Sequence, residues 1–123
     1  SSKSSNFVEL KNLSSFISGL EIMKKGNRLT KVLFDIRVNN LFKTSTNDEN
    51  YYFLSGLIIG DELIGIKKQK IDSIIIYGAE QISKLYFTAL NYLNVVNEII
   101  SVPYEKVGYV EALGQYKIYK CNN

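Results

Sequence analysis

Apolar residues return at helical spacing three times in the first half of the chain. Leu13, Phe16, Ile17 and Leu20 form one stripe, Met23 extends it, and Gly26 stands where a helix would stop. Leu29, Val32, Leu33 and Ile36 form a second, with Asp35 and Arg37 on its polar side. KTSTNDEN then predicts a loop, in which Thr46 or Asn47 can cap a third helix while Asp48 and Glu49 suit its positive end. The third helix continues through YYFLSGLIIGDELIG to about Ile66.

The pattern changes after the polar turn KKQKID. SIIIYG is a short continuous apolar run, rich in β-branched residues and closed by glycine, which predicts a buried strand. Ile82, Leu85, Tyr86, Ala89, Leu90 and Leu93 then share one face of a fourth helix, and Val95 to Val102 holds a second strand ending near Pro103. A last helix is expected from about Tyr104 to Tyr119, with Val107, Val110, Ala112, Leu113 and Tyr116 available for burial. Three helices followed by strand, helix, strand, helix make an α/β class with parallel strands. Two strands are few for such a unit, because its faces and edges need cover, so further strands are expected upstream.

Ser55, Gly56, Gly60 and Gly65 interrupt the third helix with small residues. Each helical glycine costs about 1 kcal/mol relative to alanine, so something must need the missing side chains. Either a ligand or another helix comes close.

Composition narrows the chemistry. The 123 residues, 46% hydrophobic and 22% charged, predict one soluble domain over 1–123. The net charge of +3 is spread among scattered lysines, and the two arginines, Arg28 and Arg37, form no basic cluster, so nucleic acid is not an expected partner. No apolar run approaches the roughly 20 residues needed to span a bilayer, and SSKSSN lacks the apolar core of a signal peptide, so no membrane partner is expected either. The absence of histidine removes triads and histidine bases, and the lone Cys121 gives neither a disulfide nor a zinc-type ligand set. A reducing, cytoplasmic location is the natural expectation, and no metal site is expected. Carboxylates, amides or a nucleotide's own magnesium would have to carry any reaction.

LFDIRVNNLF, YYFLSGLIIGDEL, IDSIIIYGAEQISKLYFTALNYLNV and YEKVGYVEALGQY together resemble the C-terminal part of the 2-keto-3-deoxygalactonokinase family. The shared features fall at Phe34 to Arg37, Leu54 to Glu62 and Ile74 to Leu90, and the Leu-Ser-Gly core is the specific one. The resemblance implies one lobe of an actin-like, ribonuclease-H-like sugar kinase, with helices around a small, mostly parallel sheet. It implies ATP and Mg2+ as cofactors and a sugar acid, 2-keto-3-deoxygalactonate, as substrate. The family's Asp-x-Gly phosphate loop and Gly-Thr-His-x-Lys-Trp segment have no counterpart here, and the chain holds neither His nor Trp. The expectation is therefore a C-terminal nucleotide-binding lobe that works with an N-terminal lobe and is inactive alone, with homo-oligomerisation left open. A stand-alone binding or protein-interaction module presenting the third helix is the alternative.

On this resemblance no catalytic residue lies in the chain. Ser55, Gly56 and Gly60 would let the third helix approach the nucleotide, or alternatively another helix. Glu62 matches the family core and is expected to make a polar contact, whereas its neighbour Asp61 points about 100° away and is expected in solvent. Gly78 and Ala79 end the first strand where α/β sheets place ligands, and in actin-like kinases that turn lies against adenosine; a plain strand-to-helix turn would also need a small residue there. Arg37 matches the family arginine, suited to the substrate carboxylate by its forked donors, or else it holds Asp35, Glu62 or a helix end. The nine tyrosines read mainly as half-buried core and surface, while Tyr51, Tyr52 and Tyr77 lie near the expected cleft, where they could stack on adenine.

Overall fold

A computed structural model describes residues 8–43, 45–77, 79–102 and 117–121. Four helices and three strands occur among them: α1 Leu10–Lys24, α2 Leu29–Asn39, α3 Asn47–Lys67, β1 Ser73–Tyr77, α4 Glu80–Leu93, β2 Glu98–Val102 and β3 Lys117–Cys121. The first six follow the sequence periodicities in order. α1 gives way at Lys25, and Gly26 takes φ +95°, a left-handed conformation that glycine adopts without strain. α3 starts on a full capping box. Thr46 accepts from the Glu49 amide at 3.1 Å, and the Glu49 carboxylate accepts from the Thr46 amide at 2.8 Å.

β3 is a correction. Lys117 to Tyr119, expected in a final helix, form a strand antiparallel to β1, with Ser73 opposite Cys121 and Tyr77 opposite Lys117. The segment KIYKC holds the β-prone Ile118 and Tyr119 between its two lysines, and a strand partner takes precedence over local helix propensity there. The rest of that expected helix lies outside the described residues. β1 and β2 run parallel as expected, with Ser73 opposite Glu98 and Ile75 opposite Ile100. The sheet order is therefore β2-β1-β3, and the sheet is mixed rather than mostly parallel.

Ile74 and Ile76, two residues apart on β1, are fully buried and join Leu85, Ala89, Leu90 and Leu93 of α4 in the core. Phe16 and Leu20 of α1 and Ile59 and Leu63 of α3 close the same cluster. Contact positions rise together along α1 and α3, from Phe16 against Gly56 to Met23 against Gly60, so the two helices run parallel. α4 follows the same direction: Tyr86 donates to Glu62, and Lys67 reaches the Leu93 carbonyl at 2.9 Å. Three helices thus start at one end of the molecule, the end where β1 also finishes. Before α1, the Val8 amide donates to Thr88 Oγ1 at 2.8 Å in a buried contact that ties the incoming chain to α4.

α2 differs. Its Leu29, Val32, Leu33 and Ile36 stripe is helical as expected, yet no residue of α2 is fully buried. Phe34 and Val38 are more than half exposed.

Candidate nucleotide cleft

The parallel start of α1, α3 and α4 leaves a cleft of about 250 Å³. Glu9, Lys11 and Asn12 line it from α1, Asp48 and Tyr52 from α3, and Gln81, Lys84 and Leu85 from α4, with Val8 beneath. Each helix presents its positive end here. Ala79 forms the extended residue before α4, with φ −59° and ψ 144°, and no side chain caps the helix. Glu80 in the first turn is drawn instead to Lys84, at 3.5 Å. The exposed backbone amides of that turn are therefore left for solvent or a ligand.

Tyr52 is the aromatic wall. Burial raises its hydroxyl above the usual phenol value, and Tyr51, Asp48 and Glu9 add to the shift in that order. The group stays a protonated donor throughout the neutral range. Tyr51 meets Tyr52 edge-on at 5.0 Å, which fixes the Tyr52 ring from one side.

The residues expected to bind ligand separate into several places. Gly56 is buried against α1: a methyl group there would lie 2.2 Å from the Phe16 carbonyl oxygen. Gly19 reciprocates, since its methyl would lie 2.4 Å from the Phe53 carbonyl oxygen. A methyl group at Gly60 would lie 3.2 Å from the Met23 side chain and 3.3 Å from that of Leu20. Helix α1 accordingly fills the space that Gly56 and Gly60 leave open. A methyl group at Gly65, by contrast, would meet nothing within 4 Å. Ser55 and Glu62 are seven residues apart and share a different face of α3. Glu62 accepts from the Tyr86 hydroxyl of α4, an interhelical contact.

Ala79 is exposed at the start of α4 beside the cleft, while Gly78 and the Tyr77 side chain lie outside the described part. Arg37 is on α2, away from the cleft lining; it borders a shallow hollow with Thr30, Leu33 and Phe34. Asp35 pairs with Lys31 at 3.0 Å rather than with Arg37. Sequence reasoning missed Glu9, Lys11, Asn12, Gln81 and Lys84. Their signal was the polar first turn of each of three helices, which acquires meaning only once the helices are known to start together.

Among the described residues no cluster of His, Cys, Asp and Glu could hold a metal ion, and no helix is long and apolar enough to cross a membrane. A profile of the family described as 2-keto-3-deoxy-galactonokinase matches residues 4–107 of the 123. No curated protein and no solved structure gives a significant match.

Proposed function

The chain belongs to the 2-keto-3-deoxy-galactonokinase family, a family of sugar kinases, and from that premise we propose that it forms the nucleotide-binding lobe of a two-lobed, actin-like kinase acting on 2-keto-3-deoxygalactonate. The family match over residues 4–107 carries the reading, joined to a cleft that opens beside the start of α4. Its mixture of charges suits the nucleoside end of ATP. Asp48 and Glu9 would accept hydrogen bonds from ribose hydroxyls, Gln81 and Asn12 would pair with polar edges of the base, and Tyr52 would offer its ring. A run of phosphates would meet those same carboxylates unfavourably, so the triphosphate belongs outside the cleft, toward a second lobe. When bound, ATP would supply the phosphoryl group, and magnesium on its phosphates would neutralise charge during transfer.

In this reading Ala79 and Gly78 form the turn against the nucleoside. Glu62 ties α3 to α4 through Tyr86, Ser55 shares that face of α3, and Gly56 and Gly60 contribute indirectly by fixing α3 on α1. The phosphate loop, the general base and most sugar-acid contacts would come from the partner lobe. The family match does not favour the stand-alone binding module.

The test is to mix the chain with ATP, magnesium and 2-keto-3-deoxygalactonate and follow ADP release and ATP binding. The expected result is no turnover and weak binding, with Kd of about 1 mM, weakened further in the Asn12→Ala, Gln81→Ala double variant. Robust turnover by this chain alone would defeat the two-lobe proposal. Unchanged ATP binding in the double variant would remove the nucleoside from this cleft.

A further inference from the structure

Thr88 is a polar residue buried inside α4, only 4% exposed. Threonine is a poorer helix former than alanine or leucine, and its hydroxyl is costly to bury unpaired, so packing alone does not ask for it there. Its partner is the buried amide of Val8, eighty residues earlier in the chain, which donates to Thr88 Oγ1 at 2.8 Å. Val8 lies beneath the cleft, and the next residue, Glu9, opens α1. No side chain caps that helix; the Glu9 carbonyl accepts from the Asn12 and Leu13 amides at 2.9 and 3.0 Å. The bond from Val8 to Thr88 therefore ties the start of α1 to α4. On one side of this tie Glu9, Lys11 and Asn12 reach the cleft; on the other, Lys84 and Gln81 stand one and two turns before Thr88 on the same face of α4. Tyr92, one turn after Thr88, joins the same two helices through Glu21, farther from the cleft.

We propose that Thr88 is a positioning residue for the nucleoside: by holding the Val8 amide it sets the spacing between Asn12 on α1 and Gln81 on α4, the two amide side chains that would pair with the base. The inference rests on the nucleoside reading of this cleft. Thr88 touches no ligand and acts through the α1 side alone. Removing its oxygen leaves the buried Val8 amide without an acceptor, and the start of α1 shifts to find one. Asn12 then leaves its place while Gln81 keeps its own. The tie at Tyr92 supports the same pair of helices without setting that spacing.

The experiment measures Kd for ATP with magnesium, by amide chemical shifts, and the melting temperature of the full chain and its Thr88→Val, Thr88→Ala, Thr88→Ser and Tyr92→Phe variants. Thr88→Val and Thr88→Ala should each weaken ATP binding about three-fold, while Thr88→Ser, which keeps the oxygen, binds as the parent does. Tyr92→Phe should lower the melting temperature and leave the affinity alone. On the Thr88→Val background Asn12→Ala should add nothing, whereas Gln81→Ala should still weaken binding, because only the α1 side has moved. The positioning role is overturned by parental affinity in both Thr88→Val and Thr88→Ala, by a loss in Thr88→Ser equal to that in Thr88→Val, or by full additivity of Asn12→Ala with Thr88→Val. A Tyr92→Phe variant that loses as much affinity also overturns it, since general loosening would then explain the effect. In all these cases the cleft reading survives if Asn12→Ala and Gln81→Ala weaken ATP binding in the parent; if neither does, that reading fails and the role of Thr88 falls with it.

Discussion

α1 and α2 are both amphipathic helices that pack on α3, yet they do so in opposite ways. α1 meets α3 backbone to backbone, with Gly19 and Gly56 excluding even a methyl group, and it buries Phe16, Leu20 and Met23. α2 only leans on α3: it buries none of its own residues fully, and the aromatic contact at this side, Phe42 edge-on to Phe53 at 5.9 Å, comes from the turn after the helix. An apolar stripe therefore states that a helix has something to cover and leaves open how closely. Closeness is set by the small residues, and α3 spends them on α1.

The largest test of that difference is Gly56→Ala. Its new methyl group meets a carbonyl oxygen of a neighbouring helix, an atom that cannot rotate away, so α1 and α3 must separate. A loss of about 3 kcal/mol in urea unfolding is expected, against a gain of about 0.5 to 1 kcal/mol for Gly65→Ala, where the space is open. Comparable stability for the two variants would mean that the crossing is not tight.

A smaller effect tests how α1 is tied to α4. The Tyr92 hydroxyl donates to the Glu21 carboxylate, and that hydrogen bond, with burial and the Glu21 charge behind it, raises the Tyr92 pKa above 10.0. The folded chain therefore keeps this proton at a pH where the unfolded chain has begun to lose it. The stabilisation is fully present below about pH 10 and disappears as pH rises through the folded value. Tyr92→Phe should cost about 1 kcal/mol at neutral pH and flatten the alkaline fall in stability. A variant as stable as the parent at pH 7 and equally sensitive to alkali would show that the contact contributes nothing.

Smallest is Phe34→Ser on α2, expected to change stability by no more than about 0.5 kcal/mol because the ring is mostly in solvent already. A loss as large as that of a core residue would mean that α2 is packed far more firmly than its exposure indicates.

The helices were legible where local chemistry decides them. Thr46 and Glu49 announce the start of α3, and the β-branched SIIIY run announces β1. β3 was not legible, because Lys117 to Tyr119 sit at the end of a helix-like pattern and become a strand only through pairing with β1. The glycines of α3 posed the right question, but their neighbour, α1, is some forty residues upstream, a distance no local pattern spans. The cleft was hidden for the same reason: Glu9, Asp48 and Gln81 are far apart in sequence and meet because three helices run parallel.

The most direct measurement is an amide chemical-shift map of the labelled chain titrated with ATP and magnesium. The account predicts shifts concentrated at Ala79, Glu80, Gln81 and Lys84, with accompanying changes at Asn12, Asp48 and Tyr52, and quiet amides at Gly56, Gly60 and along α2. Shifts centred on Gly56 and Gly60, with the start of α4 silent, would contradict it and return the nucleotide to the glycine face of α3.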